Sequence, residues 1–463
     1  MTAPADLTLV DLLPLLAARQ LSARELLDSC LERVERWEPQ VQAFVTLTPD
    51  LARAAAEAAD EARAAGRPVG ALAGVPVALK DLYCTRGVPT TASSAVLTGY
   101  EPGLDATVWA RLRDAGAGLL GKATLHEFAY GTGSFPSRNP WDLERTPGGS
   151  SGGSAAALAA RMVPLATGTD TGGSLRIPAA ACGLSSLRTT HGRVSSYGVL
   201  PLSHTLDVPG PMARRMLDVS LALRLLAGHD PQDPHSLDEP PPDYPTRARE
   251  DLGGVRIGLP LRFFWDDVDS SVAAGCRSGL ARLVEHGAEL VAVDAPADVA
   301  EVLGVPGVYG ATMHLEALEH HAQWLAEGEE RYGDNIRKRF AEARQTTPEQ
   351  YAQAQRDRVR WADDWRRTIT EHRLAAVAHP TIPQPPAVVG AEGRGPGPTI
   401  ALAKAWSICG FPSLSVPVGL DERGLPIGLT LSGLPEQEGT LIGLGIVLDE
   451  EVQLWRQSPL ELF

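Results

Sequence analysis

The first 66 residues have the apolar spacing of amphipathic helices. Ser22 and Glu25 form a capping box, which marks the start of a helix. The apolar residues that follow recur at helical spacing: Leu26, Leu27, Cys30, Leu31 and Val34. A shorter segment at 7–20 precedes this helix, and an alanine-rich helix ending at Gly66 follows it. The pattern predicts a helical N-terminal layer over 1–66 that serves packing and, in one interpretation, self-association as a homodimer.

Beyond Gly74 short apolar runs alternate with amphipathic segments. The predicted strands of this part are 75–79, 116–121 and 163–167, and the predicted helices are 107–115 and 154–162. Such alternation is typical of an α/β protein with a mostly buried sheet. We refer to residues 67–228 as the first sheet region.

Residues 229–251 are rich in proline and aspartate and lack periodicity, so they are predicted to form a surface loop. A second region, 252–463, is predicted to complete the sheet. Its predicted helices are 270–286, 313–330 and 348–372, and its predicted strands are 255–259, 374–378, 414–418 and 427–431.

Composition and charge narrow the range of partners. The net charge of −15 disfavours nucleic acid and anionic membrane surfaces, so direct nucleic-acid binding is not expected. No apolar run approaches the about 18 residues of a membrane span, and the start lacks the features of a secretory signal, which favours a cytoplasmic protein. The five widely spaced cysteines indicate free thiols. No motif indicates a metal or cofactor, and GGSSGGS lacks the lysine of a phosphate-binding loop.

Two serine-bearing glycine clusters at 148–174 and Lys80 carry the candidate chemistry. A serine hydroxyl is a poor nucleophile until a base takes its proton, and glycines let backbone N–H groups close around an oxyanion. Each residue also has a structural interpretation. Ser174 could cap a helix, Lys80 could pair with Asp81 and reach solvent, and the glycines could form a tight turn.

The chain resembles the amidase signature family in the order and spacing of several motifs. These are GVPVALKD (74–81), HEFAYG (126–131), GGSSGGS (148–154), GTDTGGSLRIPAAACG (168–183), HGRVS (191–195), LDVPGPMAR (206–214), FPSLSVPVG (411–419) and GLPIGL (424–429). The resemblance implies one compact domain over 1–463, in which a mixed β-sheet is flanked by helices on both faces.

The resemblance also implies the roles of three reactive side chains. Ser174 is the expected nucleophile, which forms an acyl-enzyme, and Ser150 relays its proton. Lys80, desolvated and uncharged, is the expected base. In the family the relay serine follows a cis peptide, so Gly149–Ser150 is expected to be cis.

Backbone N–H groups of Thr171, Gly172 and Gly173, with that of Ser174, are the expected oxyanion donors. Asp170 and Arg176 are expected to hold the loop rather than to react. Two further serines are assigned to loop hydrogen bonding and to a helix start: Ser151 and Ser154. A rival Ser-His-Asp triad stays open from the sequence, with His126, His191 or His204 as the base, although the GxSxG nucleophile elbow is absent.

Two segments near the site depart from the family pattern, so the resemblance does not identify the substrate. They are the shortened 131–139 and the altered 185–191. Specificity is expected from 130–139, 313–324, 379–386 and 406–409, none of which has a readable code. Three histidines of one helical segment are interpreted as a solvated helix face rather than as substrate contacts: His314, His320 and His321.

Three functions are consistent with the sequence. The favoured one is a free-standing amidase that hydrolyses the C–N bond of a small amide or urea-like molecule. The second is the glutamine-hydrolysing subunit of a tRNA-dependent amidotransferase, which works in a complex. The motif LHEFAYG is closer to the form in general amidases than to the MDEFAMG form of that subunit. Similarly, HGRVSSYG differs from the subunit's YGRVSRYG form. The third, a catalytically retired binding protein, is disfavoured because all three reactive side chains are present.

Overall fold

A single mixed β-sheet runs through the computed structural model, which describes residues 3–248, 251–296, 299–303, 307–390 and 400–461. Its strands are β1 Phe44–Leu47, β2 Pro76–Lys80, β3 Gly118–Ala123, β4 Leu165–Asp170, β5 Ser185–Arg188, β6 Val208–Ala213, β7 Arg256–Pro260, β8 Glu289–Val293, β9 Ala376–Pro380, β10 Ser413–Leu420 and β11 Pro426–Ser432. Their order is β1-β3-β2-β4-β6-β5-β10-β11-β9-β7-β8. β2 is parallel to β3 and β4, β7 is parallel to β8 and β9, and the other pairs are antiparallel.

Helices accompany the strands along the chain. They are α1 Leu9–Ala17, α2 Ala23–Val41, α3 Pro49–Ala64, α4 Thr107–Asp114, α5 Gly152–Ala159, α6 Arg176–Cys182, α7 Met216–Leu226, α8 Ser270–Glu285, α9 Val299–Val302, α10 Gly307–Gly328, α11 Asp334–Ala343, α12 Pro348–Glu371, α13 Lys404–Cys409 and α14 Glu438–Val452.

The helices cover both faces of the sheet, as neighbouring residues of β11 show. A Cβ on Gly428 would meet Ala180 of α6, whereas the adjacent Ile427 lies against Gly275 of α8. Because successive residues of a strand point to opposite faces, α6 and α8 lie on opposite sides. The predicted α/β fold with a mixed, helix-flanked sheet is confirmed.

The N-terminal layer is helical, but it also contributes a strand. The capping box is present at the start of α2, where Ser22 accepts from the backbone N–H of Glu25 and the Glu25 carboxylate accepts from that of Ser22. β1 then pairs with β3 and forms one edge of the sheet. The predicted helical layer over 1–66 is present, and the four-residue strand β1 within it was not predicted. Self-association of the layer stays a prediction.

The predicted strands and helices occur with shifted ends, and some elements were not predicted. α10 begins at Gly307, ahead of the predicted 313. β6 was not predicted because prolines at 209 and 211 disfavour a strand. Proline has no backbone N–H to donate to a neighbouring strand. The structure accommodates these prolines because β5 pairs only with Met212 and Ala213 of β6, so the proline positions have no partner in β5.

The loop at 229–251 contains no helix or strand in its described part, 229–248, as expected. It is nevertheless anchored, because buried Asp230 accepts from the hydroxyls of Thr107 and Ser195. All five cysteines are free thiols, as expected. Within the described ranges, no helix has the length and apolar character needed to cross a bilayer.

We expect Ser22→Ala to lower the free energy of unfolding by about 1 kcal/mol, because the first turn of α2 loses its side-chain acceptor. Ser22→Asp keeps an acceptor and should cost far less. Urea denaturation followed by circular dichroism measures both variants. Equal losses in the two variants would show that the cap does not stabilise the fold.

Candidate active site

Lys80 ends strand β2 and is completely buried. Its Nζ donates to Ser150 Oγ and to Thr169 Oγ1, each at 2.7 Å. Burial lowers the pKa of Lys80 to about 7, although the negative charges of Asp207 and Asp170 oppose that shift. Near neutral pH a substantial fraction of this amine is uncharged and able to accept a proton.

The alternative interpretation of Lys80 as a strand-end lysine paired with Asp81 is wrong. Asp81 instead forms a buried ion pair with Lys122, at 3.1 Å, and its other oxygen accepts from the backbone N–H and hydroxyl of Thr91. Asp81 is thereby neutralised by a different cation. Lys80 is left with hydroxyl neighbours.

Ser150 is completely buried and follows a cis Gly149–Ser150 peptide, as expected. Its carbonyl oxygen accepts from the Ser134 hydroxyl at 3.0 Å and from the backbone N–H of His126 at 3.2 Å. These bonds fix the backbone so that the side chain meets Lys80. Ser151 and Ser154 bond instead to the backbone of Thr169 and Thr167 on β4.

Ser174 lies in the turn between β4 and α6 and lines a cavity of about 270 Å³. Side chains from distant elements share this cavity, among them Tyr130, Tyr309, Met313 and Arg339. Within the described residues no hydrogen bond joins the Ser174 hydroxyl to Ser150. The structure thus brings Lys80 and Ser150 together and gives Ser174 access to the cavity, while contact between the two serines stays a prediction.

Asp170 and Arg176 build the turn that carries Ser174. Arg176 donates to both carboxylate oxygens of Asp170 at 2.9 Å, and Asp170 also accepts from the backbone N–H of Gly173 and Leu175. Burial alone would raise the pKa of Asp170, but the charges of Arg176 and Arg188 hold it well below its usual range. The carboxylate therefore stays ionised and keeps its bonds to the turn.

One expected oxyanion donor is already used. The Gly173 N–H donates to Asp170 Oδ1 at 2.8 Å, so it does not point freely at the cavity. This bond competes with an oxyanion for the Gly173 N–H, and the expected donor set of Thr171, Gly172, Gly173 and Ser174 stays a prediction. A Cβ on Gly172 would stand 2.5 Å from the Tyr309 hydroxyl, which explains the need for glycine there.

The rival Ser-His-Asp triad does not form in the described residues. His126 Nδ1 faces the carbonyl oxygen of Glu127, His191 Nε2 faces that of His204, and His204 Nδ1 faces His320. None of these histidines bonds to Ser174. The interpretation of the helix histidines also needs correction, since His321 is completely buried and bonds to the Tyr332 hydroxyl at 2.8 Å.

The shortened segment at 131–139 supports the site directly. Ser134 Oγ donates to the carbonyl oxygen of Ser150 and accepts from the backbone N–H of Gly152, which connects this loop to the GGSSGGS turn. Of the segments expected to set specificity, 130–139 and 313–324 contribute lining residues.

Sequence reasoning did not single out four residues of the site. Thr169 and Asp207 stand inside quoted motifs, and each bonds to a site residue: Thr169 to Lys80, and Asp207 to the Thr171 hydroxyl at 2.5 Å. Tyr309 and Arg339 carry no motif and reach the cavity only through the packing of α10 and α11. Only the three-dimensional fold could reveal the latter pair.

A buried lysine with a lowered pKa, a serine bonded to it and a second serine open to a cavity define a serine–lysine site on an α/β sheet. Such a site has the groups that acyl transfer requires: a hydroxyl, a base and backbone donors.

Comparison with known proteins identifies the family. Residues 25–442 match the family model described as Amidase. The chain is 43% identical to an amidase from Pseudomonas putida over 100% of this chain and 99% of that protein. It is 40% identical to a glutamyl-tRNA(Gln) amidotransferase subunit from Chloroflexus aurantiacus over 96% of both. It superposes on the peptide amidase of Stenotrophomonas maltophilia with a TM-score of 0.83 and 30% identity over 98% of each chain. The chain belongs to the amidase family and is an enzyme of the amidase class, acting on carbon–nitrogen bonds.

The pKa of Lys80 predicts how the catalytic rate depends on pH. If the neutral amine is the base, kcat/KM should rise with pH through a midpoint near 7, because protonated Lys80 cannot accept a proton. A pH–rate profile from about pH 6 to about pH 8 tests this, with thermal unfolding followed over the same range as the control. A rate that falls as pH rises, with stability constant, would exclude Lys80 as the base.

Proposed function

We propose that this enzyme is a free-standing amidase that hydrolyses a small amide or urea-like substrate through an acyl-enzyme. The observation that carries the proposal is the buried Lys80 Nζ, 2.7 Å from Ser150 Oγ, beside a cavity that Ser174 lines.

The proposed reaction has two halves. Ser174 Oγ bonds to the carbonyl carbon while its proton passes through Ser150 to Lys80, and backbone N–H groups of the turn bind the oxyanion. The C–N bond then breaks, and the lysine's proton returns through Ser150 to the leaving nitrogen. Water next attacks the acyl carbon and gives its proton to the same relay. Ser174 regains its hydrogen from the relay, and the carboxylic acid leaves as a carboxylate after releasing its proton to solvent.

The cavity contains a cation that suggests the substrate class. Arg339 lies over the Tyr130 ring at 5.4 Å, and its buried Nε has no hydrogen-bond partner among the described residues. Leaving such a donor unsatisfied is costly, and a guanidinium is well suited to binding a carboxylate. We propose that the preferred amide carries a carboxylate, or a group of similar acceptor strength, on its acyl side.

The glutamine-hydrolysing subunit of an amidotransferase is the second candidate, favoured by 40% identity to such a protein. Glutamine would bring an ammonium group as well as a carboxylate. His126 stands where the MDEFAMG form has aspartate, next to the cavity residue Gly131. Removal from water, with the charge of Arg339, lowers the pKa of His126 to about 4, so the ring is neutral and offers an ammonium no negative charge. This difference favours a carboxylate-bearing amide other than glutamine.

Replacing the reactive side chains tests the proposed mechanism. Ser174→Ala should abolish turnover, and Ser150→Ala and Lys80→Met should each lower kcat by about 10²- to 10⁴-fold. Ser154→Ala is the matched control and should leave kcat nearly unchanged, since that hydroxyl donates to the carbonyl oxygen of Thr167. Ammonia release from a panel of small amides provides the measurement. An active Ser174→Ala enzyme would refute the assigned nucleophile.

The substrate class is tested with paired amides and a matched pair of variants. Succinamate should be preferred over butyramide and glutamine, and Arg339→Gln should raise the KM for succinamate about tenfold or more while changing that for butyramide little. Arg337→Gln, on the same helix but paired with Asp334 at the surface, is the control. Preferential hydrolysis of glutamine would favour the second candidate. Preference for butyramide would refute the carboxylate requirement.

A further inference from the structure

Four histidines form a cluster outside the site described above. The His204 ring lies 5.2 Å from the His320 ring and 5.9 Å from the His235 ring, and His235 lies 5.5 Å from His191. The four histidines come from three separate parts of the chain, and their spacing in the sequence does not predict the cluster. The mechanism proposed for the amidase uses none of these side chains.

Within the cluster, two ring nitrogens of neighbouring histidines face each other directly. His204 Nδ1 and His320 Nε2 face each other at 3.1 Å. Two nitrogens bound to one tetrahedral zinc ion, each at about 2.0–2.1 Å, stand about 3.3 Å apart. The two rings therefore need to separate by only a few tenths of an ångström to hold an ion between them.

We propose that His204 and His320 form a two-histidine site for a divalent transition-metal ion such as Zn²⁺ or Cu²⁺. In the described ranges no three His, Cys, Asp or Glu side chains are arranged to hold a metal ion. Water therefore completes the coordination. One of the two facing nitrogens carries the hydrogen of their hydrogen bond. When the ion binds, this hydrogen moves to the other nitrogen of the same ring, so that both facing nitrogens present lone pairs to the ion.

The surrounding charges favour a cation at this point. The Glu316 carboxylate lies 3.8 Å from His204 Nδ1, where it already accepts from Ser203 and Thr205. Those bonds hold it in place as a fixed negative charge beside the ion. The side chain of His204 is 34% exposed, so an ion can reach the pair from solvent.

The position of the pair connects it to the turn that carries Ser174. His204 stands three residues before Asp207, and Asp207 accepts from the backbone N–H of Leu202 and Ser203 and from the Thr171 hydroxyl. A metal ion on His204 would therefore bind the same short loop that supports the turn.

Metal titration of the full chain tests the proposal. After treatment with a chelator, the wild-type enzyme should bind one Zn²⁺ per chain by calorimetry, and His204→Ala and His320→Ala should each weaken binding about tenfold or more. His229→Ala is the matched control, because His229 is another partly exposed histidine beside a carboxylate, that of Asp238, and should bind as wild type does. Equal binding by wild type and both cluster variants would overturn the proposal, as would an equal loss in the control.

A spectroscopic measurement on the wild-type enzyme does not depend on how the variants fold. Electron paramagnetic resonance of one equivalent of Cu²⁺ should show superhyperfine splitting from two imidazole nitrogens. A spectrum with oxygen ligands alone, or with a single nitrogen, would exclude the paired site.

Discussion

The structure depends on one amine buried at the end of a central strand. Lys80 Nζ has two hydroxyl neighbours, Ser150 and Thr169, and no carboxylate among its described hydrogen-bond partners. A carboxylate at that distance would hold the lysine charged, whereas hydroxyl groups compensate burial only in part. Asp207 and Asp170 act from further away and oppose the effect of burial. The balance of these effects lowers the pKa of the Lys80 amine to about 7. The proposed role of Lys80 as a base depends on that value.

Two of the acids near Lys80 are paired with cations of their own. Asp81 pairs with Lys122, and Asp170 pairs with Arg176 and Arg188. All of these groups are buried, so removing one partner would leave an unpaired charge in a poorly polarisable interior. The Asp170 pair has a second use, because the same carboxylate binds two backbone N–H groups of the turn that carries Ser174. Charge neutralisation and the geometry of the turn that carries Ser174 thus depend on the same residues.

How much the sequence could predict depended on whether the signal was local. Capping at Ser22, the apolar period of α2 and the run that became β2 are local patterns, and the structure confirms the elements they predicted. Strand β6 was missed because its prolines disfavour a strand locally, while the limited pairing of β5 accommodates them. The motifs located Lys80, Ser150 and Ser174, but they did not show that the Gly173 N–H is used by Asp170. Tyr309 and Arg339 come from helices that no motif marks, so only tertiary packing places them in the cavity.

The electrostatics of the cavity and of the base have to be considered together. Arg339 is a positive charge in the cavity that Ser174 lines, and in the proposed relay a proton on Lys80 would add a second. An uncharged substrate would leave Arg339 without a counter-charge while the base becomes cationic. A carboxylate on the acyl group would neutralise Arg339, and it would lower the cost of protonating Lys80 during attack by Ser174. The same anion would therefore contribute to binding and to the formation of the tetrahedral intermediate, which is the physical reason to expect specificity and catalysis to depend on one arginine.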